Sequence, residues 1–547
     1  MKAFILLTLL IPLTANTFAQ EKNPAGETPV IQIKNGSLKG MLNSQSGVRS
    51  YKGIPFAQPP VGNLRWKEPQ PVKSWKGVLK ADHFGPNGMQ KPVFGDMGFR
   101  SSAMSEDCLY LNVWTPAKSA SDKLPVLVYF YGGGYVAGDG SERRYDGEAM
   151  AKTGIVTLTV NYRLGVFGFL SHPELTKESA HHASGNYGLL DQQAALQWVK
   201  DNIAAFGGDP ARVTIAGESA GSISVSAQMA SPLSKSLIAG AIGESGAMIN
   251  PTLAPITLKK GEENGVAFAS SVNAKSLADL RAMPAAVLLD AASKPGAFST
   301  AATVDGYFLP ELPAAIFAKG QQANVPLLAG WNSAEVPYQA LLREASPTLA
   351  NYKNKLKELY PEQADEVLKL YPAATDAEVV EAATALASDR FIVYSTWKWL
   401  DLHRKTSNKP VYSYIFSQGK PPVTEAMKGV VPGLAGGVKK ADAKSEAVAV
   451  APVPAGAPHA FEIEYAMGNL GSNKMYAWTL DDHRVSSYML DYFSNFIKTG
   501  NPNGDALPVW EPIQLDSAPY MNINGDSKQE KEVNRARYLF LDKIYAK

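Results

Sequence analysis

The chain has 547 residues, of which 45% are hydrophobic and 19% are charged, and its 53 basic and 51 acidic side chains give a formal net charge of +2. A chain of this length can bury a large core, and large α/β proteins often grow by insertions into one sheet. The charges balance and no long block of like charges occurs, so the composition argues against nucleic acid as a partner.

The N-terminus has the organisation of a secretory signal peptide. A lysine at position 2 is followed by an apolar stretch, residues 3–13, and by the small-residue motif Thr17-Phe18-Ala19. The apolar stretch is too short to cross a membrane, which needs roughly 20 residues. We therefore predict a signal peptide over residues 1–19, cleavage after Ala19, and a secreted or periplasmic protein with no membrane span.

Cys108 is the single cysteine of the chain, so an intramolecular disulfide is impossible. It lies in residues 106–114, where apolar and polar side chains alternate as in a strand and no Gly-rich turn occurs. We interpret Cys108 as a buried structural residue rather than a nucleophile.

Three short apolar runs rich in β-branched residues predict strands that are buried on both faces, at residues 124–131, 154–160 and 212–216. Between the last two, residues 189–205 carry apolar side chains at near-helical spacing. A strand, a helix and a strand in this order predict a parallel βαβ unit.

Two later segments differ from this pattern. Residues 341–404 are rich in Lys, Glu, Ala and Leu in amphipathic order, which predicts helices. Residues 418–456 contain no aromatic side chain and are dominated by Gly, Ala, Pro, Val and Lys. We predict that this segment is a long mobile loop or an interdomain linker.

Ser219 lies in Gly-Glu-Ser-Ala-Gly, residues 217–221, directly after a predicted strand and before a helix-like segment. A strand-to-helix turn flanked by glycines can hold a serine in a strained conformation with its hydroxyl exposed. The sequence therefore predicts Ser219 as a nucleophile.

A serine nucleophile needs N–H donors for the oxyanion that forms on attack. A run of three glycines, residues 132–134, ends the predicted strand at 125–130 and leaves backbone N–H groups unshielded. We predict Gly133, Gly134 and Ala220 as the oxyanion donors. A phosphate-binding loop is the alternative, but no Gly-Lys-Ser/Thr follows and the spacing is not Gly-x-Gly-x-x-Gly.

The serine also needs a base to take its proton. In the chain order nucleophile, acid, base, the candidates are His403, His459 and His483. His459 is favoured because it begins a structured segment directly after the flexible one. We interpret His403 and His483 as surface or hydrogen-bonded core residues.

The acid that orients the base must lie between Ser219 and His459, and Asp305, Glu335 and Asp389 are candidates. Spacing alone does not choose among them. Glu335 follows a strand-like segment on a loop, which is where an orienting carboxylate belongs.

Many motifs in order make the chain resemble the type-B carboxylesterase family, the group within the α/β-hydrolase fold that includes cholinesterases and bacterial carboxylesterases. The resemblance covers nearly all of the chain after the signal peptide. The matching motifs are residues 53–57, 59–62, 65–66, 84–86, 106–114, 161–165, 185–192, 206–210 and 217–221.

The resemblance implies an α/β-hydrolase fold, with a mostly parallel twisted central sheet, helices on both faces and inserted helical and loop segments. It implies a single domain over residues 20–547, with the flexible insertion at about 418–456. It also implies a serine carboxylesterase that needs no metal or organic cofactor and acts on a small-molecule or larger ester. The residues implied are Ser219 as nucleophile, Glu335 as acid, His459 as base, and Gly133, Gly134 and Ala220 as oxyanion donors.

The family pattern also implies a structural salt bridge between Arg65 and Glu106. The cysteine that commonly pairs with the equivalent of Cys108 is absent, since Asn87-Gly88-Met89 occupies its place. No tryptophan occurs between Gly88 and Cys108 to stack on a quaternary ammonium, which argues against a cholinesterase.

One alternative from another functional class is a catalytically inactive, cholinesterase-like binding or adhesion module. Some relatives of this family have lost the catalytic residues and serve in recognition. The presence of Ser219, Glu335 and His459 disfavours this alternative.

Overall fold

The computed structural model describes residues 26–427, 429–440, 455–515 and 517–545. The predicted signal peptide, residues 1–19, lies outside the described residues. Within these ranges, no helix combines the length and the apolar character that a membrane crossing requires.

An 11-stranded sheet forms the centre of the molecule, and the other seven strands of the described residues form three smaller sheets. In chain order the strands are β1 Ile31–Ile33, β2 Gly36–Lys39, β3 Met41–Leu42, β4 Arg49–Pro55, β5 Val78–Lys80, β6 Tyr110–Thr115, β7 Leu124–Phe130, β8 Val156–Val160, β9 Gly208–Glu218, β10 Gly240–Glu244, β11 Ile256–Thr257, β12 Thr303–Val304, β13 Leu327–Asn332, β14 Val411–Phe416, β15 Val430–Pro432, β16 Val438–Lys440, β17 Pro519–Ile523 and β18 Lys528–Lys531. The order across the central sheet is β18-β17-β14-β13-β10-β9-β7-β8-β6-β4-β3.

The central strands of this sheet are parallel, and its outer strands on both sides are antiparallel. Neighbouring strands run parallel from β8 through β7, β9, β10, β13 and β14 to β17. The outer pairs are antiparallel: β17 with β18 on one side, and β3 with β4, β4 with β6 and β6 with β8 on the other. The carboxyl ends of the parallel strands therefore meet at one edge, where α/β proteins place their ligands.

Helices surround the sheet. In chain order the α-helices of the described residues are α1 Glu148–Lys152, α2 Gly165–Phe169, α3 Pro173–Glu178, α4 Tyr187–Asn202, α5 Ala220–Ala230, α6 Leu258–Ser271, α7 Leu277–Ala282, α8 Ala285–Ala292, α9 Pro313–Ala318, α10 Gln339–Leu342, α11 Leu349–Leu359, α12 Ala364–Leu370, α13 Asp376–Ser388, α14 Tyr394–Thr406, α15 Ile463–Ala466, α16 Leu480–Thr499 and α17 Arg535–Tyr545. A π-helical turn, Asp389–Val393, joins α13 to α14.

The predicted βαβ unit corresponds to β8, α4 and β9. Every residue of β8 is buried, as is all of β7 except its first residue, because both faces of the sheet are covered. Strands β8 and β9 are not neighbours, since β7 pairs in parallel with both of them. The fold class predicted from the sequence, a mostly parallel α/β sheet, is confirmed.

The segment predicted to be a flexible insertion, residues 418–456, contains regular structure in its described part. Strands β15 and β16 pair antiparallel, with Val430 opposite Lys440 and Val431 opposite Lys439. The β-branched valines favour extended backbone, and the Gly-rich residues 433–437 between them supply the turn. Residues 428 and 441–454 lie outside the described residues.

The predicted salt bridge between Arg65 and Glu106 is confirmed. The Arg65 guanidinium donates two hydrogen bonds of 2.6 Å to the two carboxylate oxygens of Glu106. Its remaining Nη1 donates to three backbone carbonyls at the end of α7 and just beyond it. The bidentate pair thus joins the N-terminal part of the chain to a helix about two hundred residues later. Cys108 is buried and free, as predicted.

Replacing one member of this buried pair should destabilise the protein. Glu106→Gln leaves the Arg65 charge buried without its counterion, so the free energy of unfolding should fall by about 3 kcal/mol. Urea denaturation monitored by circular dichroism measures this loss. The control is Asp201→Asn, which breaks an ion pair with the exposed Lys34 and should cost less than about 1 kcal/mol. Equal losses in the two variants would contradict the structural role of the buried pair.

Candidate active site

Ser219 occupies the turn between β9 and α5. Its backbone has φ +55° and ψ −120°, a conformation that costs energy for a residue with a side chain. The Ser219 N–H donates to the backbone oxygen of Glu244 over 2.8 Å, which ties the turn to β10. A Cβ added to Gly221 would lie 2.0 Å from the backbone oxygen of Phe130, so only glycine permits this approach to β7.

The predicted oxyanion donors lie beside this turn. Gly133 and Gly134 follow β7 with φ values of +108° and +63°. For the N–H groups of Gly133, Gly134 and Ala220, the described part of the chain provides no hydrogen-bond acceptor. Ala220 is the first residue of α5, where backbone N–H groups lack intrahelical partners and the helix dipole favours negative charge. These groups can therefore bind an anionic oxygen.

Glu335 contacts His459 directly. The residue lies on the loop after β13, fully buried, and its Oε2 is 2.5 Å from His459 Nδ1. Its Oε1 accepts hydrogen bonds from Ser245 Oγ at 2.6 Å and from the Asn332 N–H at 2.7 Å. The backbone N–H of His459 donates to the backbone oxygen of Glu335 over 3.0 Å. Backbone and side chain together fix the orientation of the imidazole.

A second carboxylate faces the other ring nitrogen. His459 Nε2 lies 3.2 Å from Glu218 Oε1. Within the described ranges, no hydrogen bond joins the Ser219 hydroxyl to His459, although both side chains line the same cavity. The imidazole therefore lies between two glutamates, Glu335 at Nδ1 and Glu218 at Nε2.

The cavity beside Ser219 has a volume of about 190 Å³ and a mostly apolar lining. The Phe391 ring packs edge-on against the His459 imidazole, with 5.1 Å between the ring centres. Ser219 is only half-buried, so its hydroxyl is accessible from this cavity. The lining residues are Phe94, Met97, Gly133, Gly134, Arg144, Tyr145, Glu218, Ser219, Thr252, Leu253, Phe391, Leu434, Ala435, His459 and Ala460.

Burial and charge shift the ionisation of these groups in opposite directions. Burial raises the pKa of Glu218, of Glu244 and of Glu462, because each carboxylate loses its hydration. Burial alone would lower the pKa of His459, but the charges of Glu218 and Glu335 outweigh it and raise that pKa. The negative charges of Glu218 and Glu335 therefore stabilise the imidazolium that forms when His459 accepts a proton.

The other two candidate histidines have structural environments. His403 is buried, its Nε2 is 2.9 Å from the backbone oxygen of Val325, and burial lowers its pKa to about 4. His483 is exposed on α16. These environments agree with the interpretation of His403 as a core residue and of His483 as a surface residue.

The other two candidate acids contact different partners. Asp305 accepts a hydrogen bond from Asn186 over 2.8 Å. Asp389 is buried in an ion pair with Arg537 at 2.6 Å. Of the three carboxylates that the sequence offered, Glu335 is the one that contacts His459.

The contacts of Glu218 and Glu462 were not predicted from the sequence. Glu218 ends the buried strand β9, and an acidic residue after an apolar strand was the available signal. Glu462 lies in an apolar run after His459 and accepts a 2.5 Å hydrogen bond from the Asn332 side chain. The described residues contain no group of three or more His, Cys, Asp or Glu side chains that could hold a metal ion.

Comparison with known proteins identifies the family of the chain. The family model described as the Carboxylesterase family matches residues 27–541. The chain belongs to the carboxylesterase family. The resemblance inferred from the sequence is thereby confirmed, together with the α/β-hydrolase fold and the class of carboxylic ester hydrolases. An inactive binding module is not favoured.

Individual relatives are similar over most of their length. The chain is 39% identical to fumonisin B1 esterase from Sphingopyxis macrogoltabida over 370 residues, which is 66% of each chain. It is 32% identical to a medium-chain fatty acyl-CoA hydrolase precursor from Anas platyrhynchos over 553 residues, 94% of this chain and 92% of the relative. It is also 32% identical to cocaine esterase from Homo sapiens over 547 residues, 94% and 90% of the two chains.

The contact between Glu218 and His459 predicts a measurable change in ionisation. Glu218→Gln removes a negative charge beside Nε2, so the imidazolium loses stabilisation and the pKa of His459 should fall by about one unit or more. Titration of histidine-labelled protein by NMR measures this pKa. The control is Glu358→Gln, at an exposed glutamate, which should leave the pKa of His459 unchanged. A pKa that stays constant or rises in Glu218→Gln would contradict the electrostatic role of Glu218.

Proposed function

We propose that this carboxylic ester hydrolase is a serine carboxylesterase, with Ser219 as nucleophile, His459 as base and Glu335 as the orienting acid. The observation that carries the proposal is the 2.5 Å contact between Glu335 Oε2 and His459 Nδ1 beside the strained turn of Ser219. Acyl transfer through a serine ester requires a nucleophile, a base beside it and an acid that orients the base.

In the first step, Ser219 Oγ attacks the ester carbonyl and its proton passes to His459 Nε2. Glu335 accepts the hydrogen bond from Nδ1–H, which leaves Nε2 as the basic nitrogen and stabilises the imidazolium that forms. In free enzymes, the hydrogen bond between nucleophile and base is often long and tightens when substrate binds. Glu218, which faces Nε2, adds a second negative charge beside the imidazolium.

The carbonyl oxygen becomes negatively charged as the tetrahedral intermediate forms. The N–H groups of Gly133, Gly134 and Ala220 supply hydrogen bonds to this oxygen, and one such donor stabilises the transition state by about 3 kcal/mol. Collapse of the intermediate breaks the ester bond, and His459 gives its proton to the leaving alkoxide. Water then attacks the acyl-serine with His459 as base, which releases the acid and restores Ser219.

The apolar lining of the cavity supports an ester with an apolar acyl or alcohol part. The apolar side chains of this lining include those of Phe94, Met97, Leu253, Phe391 and Leu434. Burying apolar substrate surface against such side chains contributes about 25 cal/mol per Å². The names of the relatives, which include a fatty acyl-CoA hydrolase, are compatible with substrates of this kind.

We also propose that the protein is exported and that its mature chain forms one domain over residues 20–547. The charged start and short apolar stretch of residues 1–19 support cleavage after Ala19. A single sheet that runs from β3 to β18 supports one domain. The expected mature chain begins at Gln20.

Removal of the nucleophile provides the direct test of this function. Ser219→Ala should lower kcat/KM for nitrophenyl acetate by at least about 10⁴-fold, because the acyl-enzyme cannot form. The release of nitrophenolate measures the rate. The exposed Ser270→Ala is the matched control and should retain wild-type activity.

Two outcomes would refute the proposal. Substantial activity in Ser219→Ala would exclude this serine as the nucleophile. A wild-type protein that hydrolyses no short-chain ester faster than the alanine variant would instead favour the inactive binding module.

A further inference from the structure

The turn between β15 and β16 forms part of the cavity wall beside Ser219. It consists of residues 433–437, Gly-Leu-Ala-Gly-Gly, and is closed by a 3.0 Å hydrogen bond from the Gly433 N–H to the Gly437 oxygen. Leu434 and Ala435 both line the cavity. We call residues 433–437 the wall turn.

Two buried charged side chains hold the wall turn in place. Asp96 accepts a hydrogen bond from the Gly437 N–H over 3.1 Å. Lys420 donates to the Gly436 oxygen over 2.8 Å and pairs with Glu464 at 3.1 Å. Hydrogen bonds with ionised partners are stronger than neutral ones, and both side chains are almost fully buried.

The wall turn also packs closely against the segments that carry the rest of the site. A Cβ on Gly436 would lie 2.4 Å from Arg144 Nη1 and 2.5 Å from the backbone oxygen of Ala460, the residue after His459. A Cβ on Gly437 would lie 1.9 Å from the backbone oxygen of Asp96. Only glycine allows these approaches, so the turn fits against the body of the protein at a defined position.

The two residues of the wall turn that line the cavity differ in exposure. Ala435 is buried, whereas Leu434 is 44% exposed. A leucine that faces both the cavity and solvent lies at the cavity mouth. A short acyl group at Ser219 does not need to reach this side chain, but a long apolar chain that leaves the cavity passes it.

We propose that the wall turn determines chain-length specificity, with Leu434 contacting the apolar chain of a long ester and with Asp96 and Lys420 as positioning residues. This inference rests on the proposed esterase function and adds a substrate class to it, esters with a long apolar acyl or alcohol chain. Apolar contact at the mouth stabilises long-chain transition states and leaves short esters without that gain.

The test compares kcat/KM for long and short esters in two series. One series varies the acyl group of nitrophenyl esters from acetate to octanoate, and the other varies the alcohol of acetate esters from methyl to octyl. Leu434→Asn, which keeps the branched outline of the side chain but removes its apolar surface, should lower the octyl-to-short ratio about tenfold in one series. Leu434→Met, which keeps an apolar side chain, should retain the wild-type octyl-to-short ratio. Leu312→Asn, at a similarly exposed leucine outside the cavity, should leave the ratio unchanged.

The positioning role has its own pair of variants. Asp96→Ala removes the acceptor for the Gly437 N–H and should lower the same ratio, whereas Asp96→Asn keeps an acceptor and should preserve it. Thermal unfolding of each variant identifies any loss of folding.

Three results would overturn the inference. Contact between Leu434 and the substrate chain is excluded if the ratios of Leu434→Asn stay within about twofold of wild type in both series. Identical ratios for Asp96→Ala and Asp96→Asn exclude the positioning role of Asp96. A wild-type protein that is inactive on every ester refutes the proposed function and this inference with it. An active wild-type protein whose variants keep the wild-type ratios refutes only the role of the wall turn in chain-length specificity.

Discussion

The buried carboxylate of Glu335 is the group on which the arrangement of the site depends. A fully buried carboxylate is costly unless hydrogen bonds replace its hydration, and here Ser245, Asn332 and His459 all approach its oxygens. The contact with His459 joins two parts of the chain that are 124 residues apart. Any shift of either segment would leave buried polar groups unpaired, so the imidazole has one stable position.

The parallel sheet brings the other groups to the same place. β7 leads into Gly133 and Gly134, β9 ends beside Ser219, and β13 is followed by Glu335. The carboxyl ends of parallel strands share one edge, so residues far apart in sequence meet there. The same edge carries the acidic character of the site, because Glu218 and Glu244 are the last residues of β9 and β10. The fold thus accounts for the meeting of these groups and for the high pKa of the imidazole between its two glutamates.

Local sequence patterns predicted much of this architecture. The buried strands, α4 and the turn of Ser219 were recognisable because each depends on neighbouring residues, through apolar periodicity or flanking glycines. Glu335 was one of three possible acids on sequence grounds, and the family resemblance was needed to choose it. The contacts of Glu218 and Glu462 escaped prediction because they depend on side-chain direction and on segments distant in sequence. The hairpin of β15 and β16 escaped because its glycine-rich composition resembles that of a linker.

The central claim is that Glu335 makes His459 an effective base, and Glu335→Gln tests it most directly. The amide nearly preserves the shape of the side chain but removes the charge and can favour the wrong tautomer of the imidazole. We expect kcat of this variant for nitrophenyl acetate to fall by about 10⁴-fold while the protein stays folded. A folded Glu335→Gln variant with kcat within about threefold of wild type would contradict this role of Glu335, because a difference that small corresponds to less than about 1 kcal/mol of transition-state stabilisation.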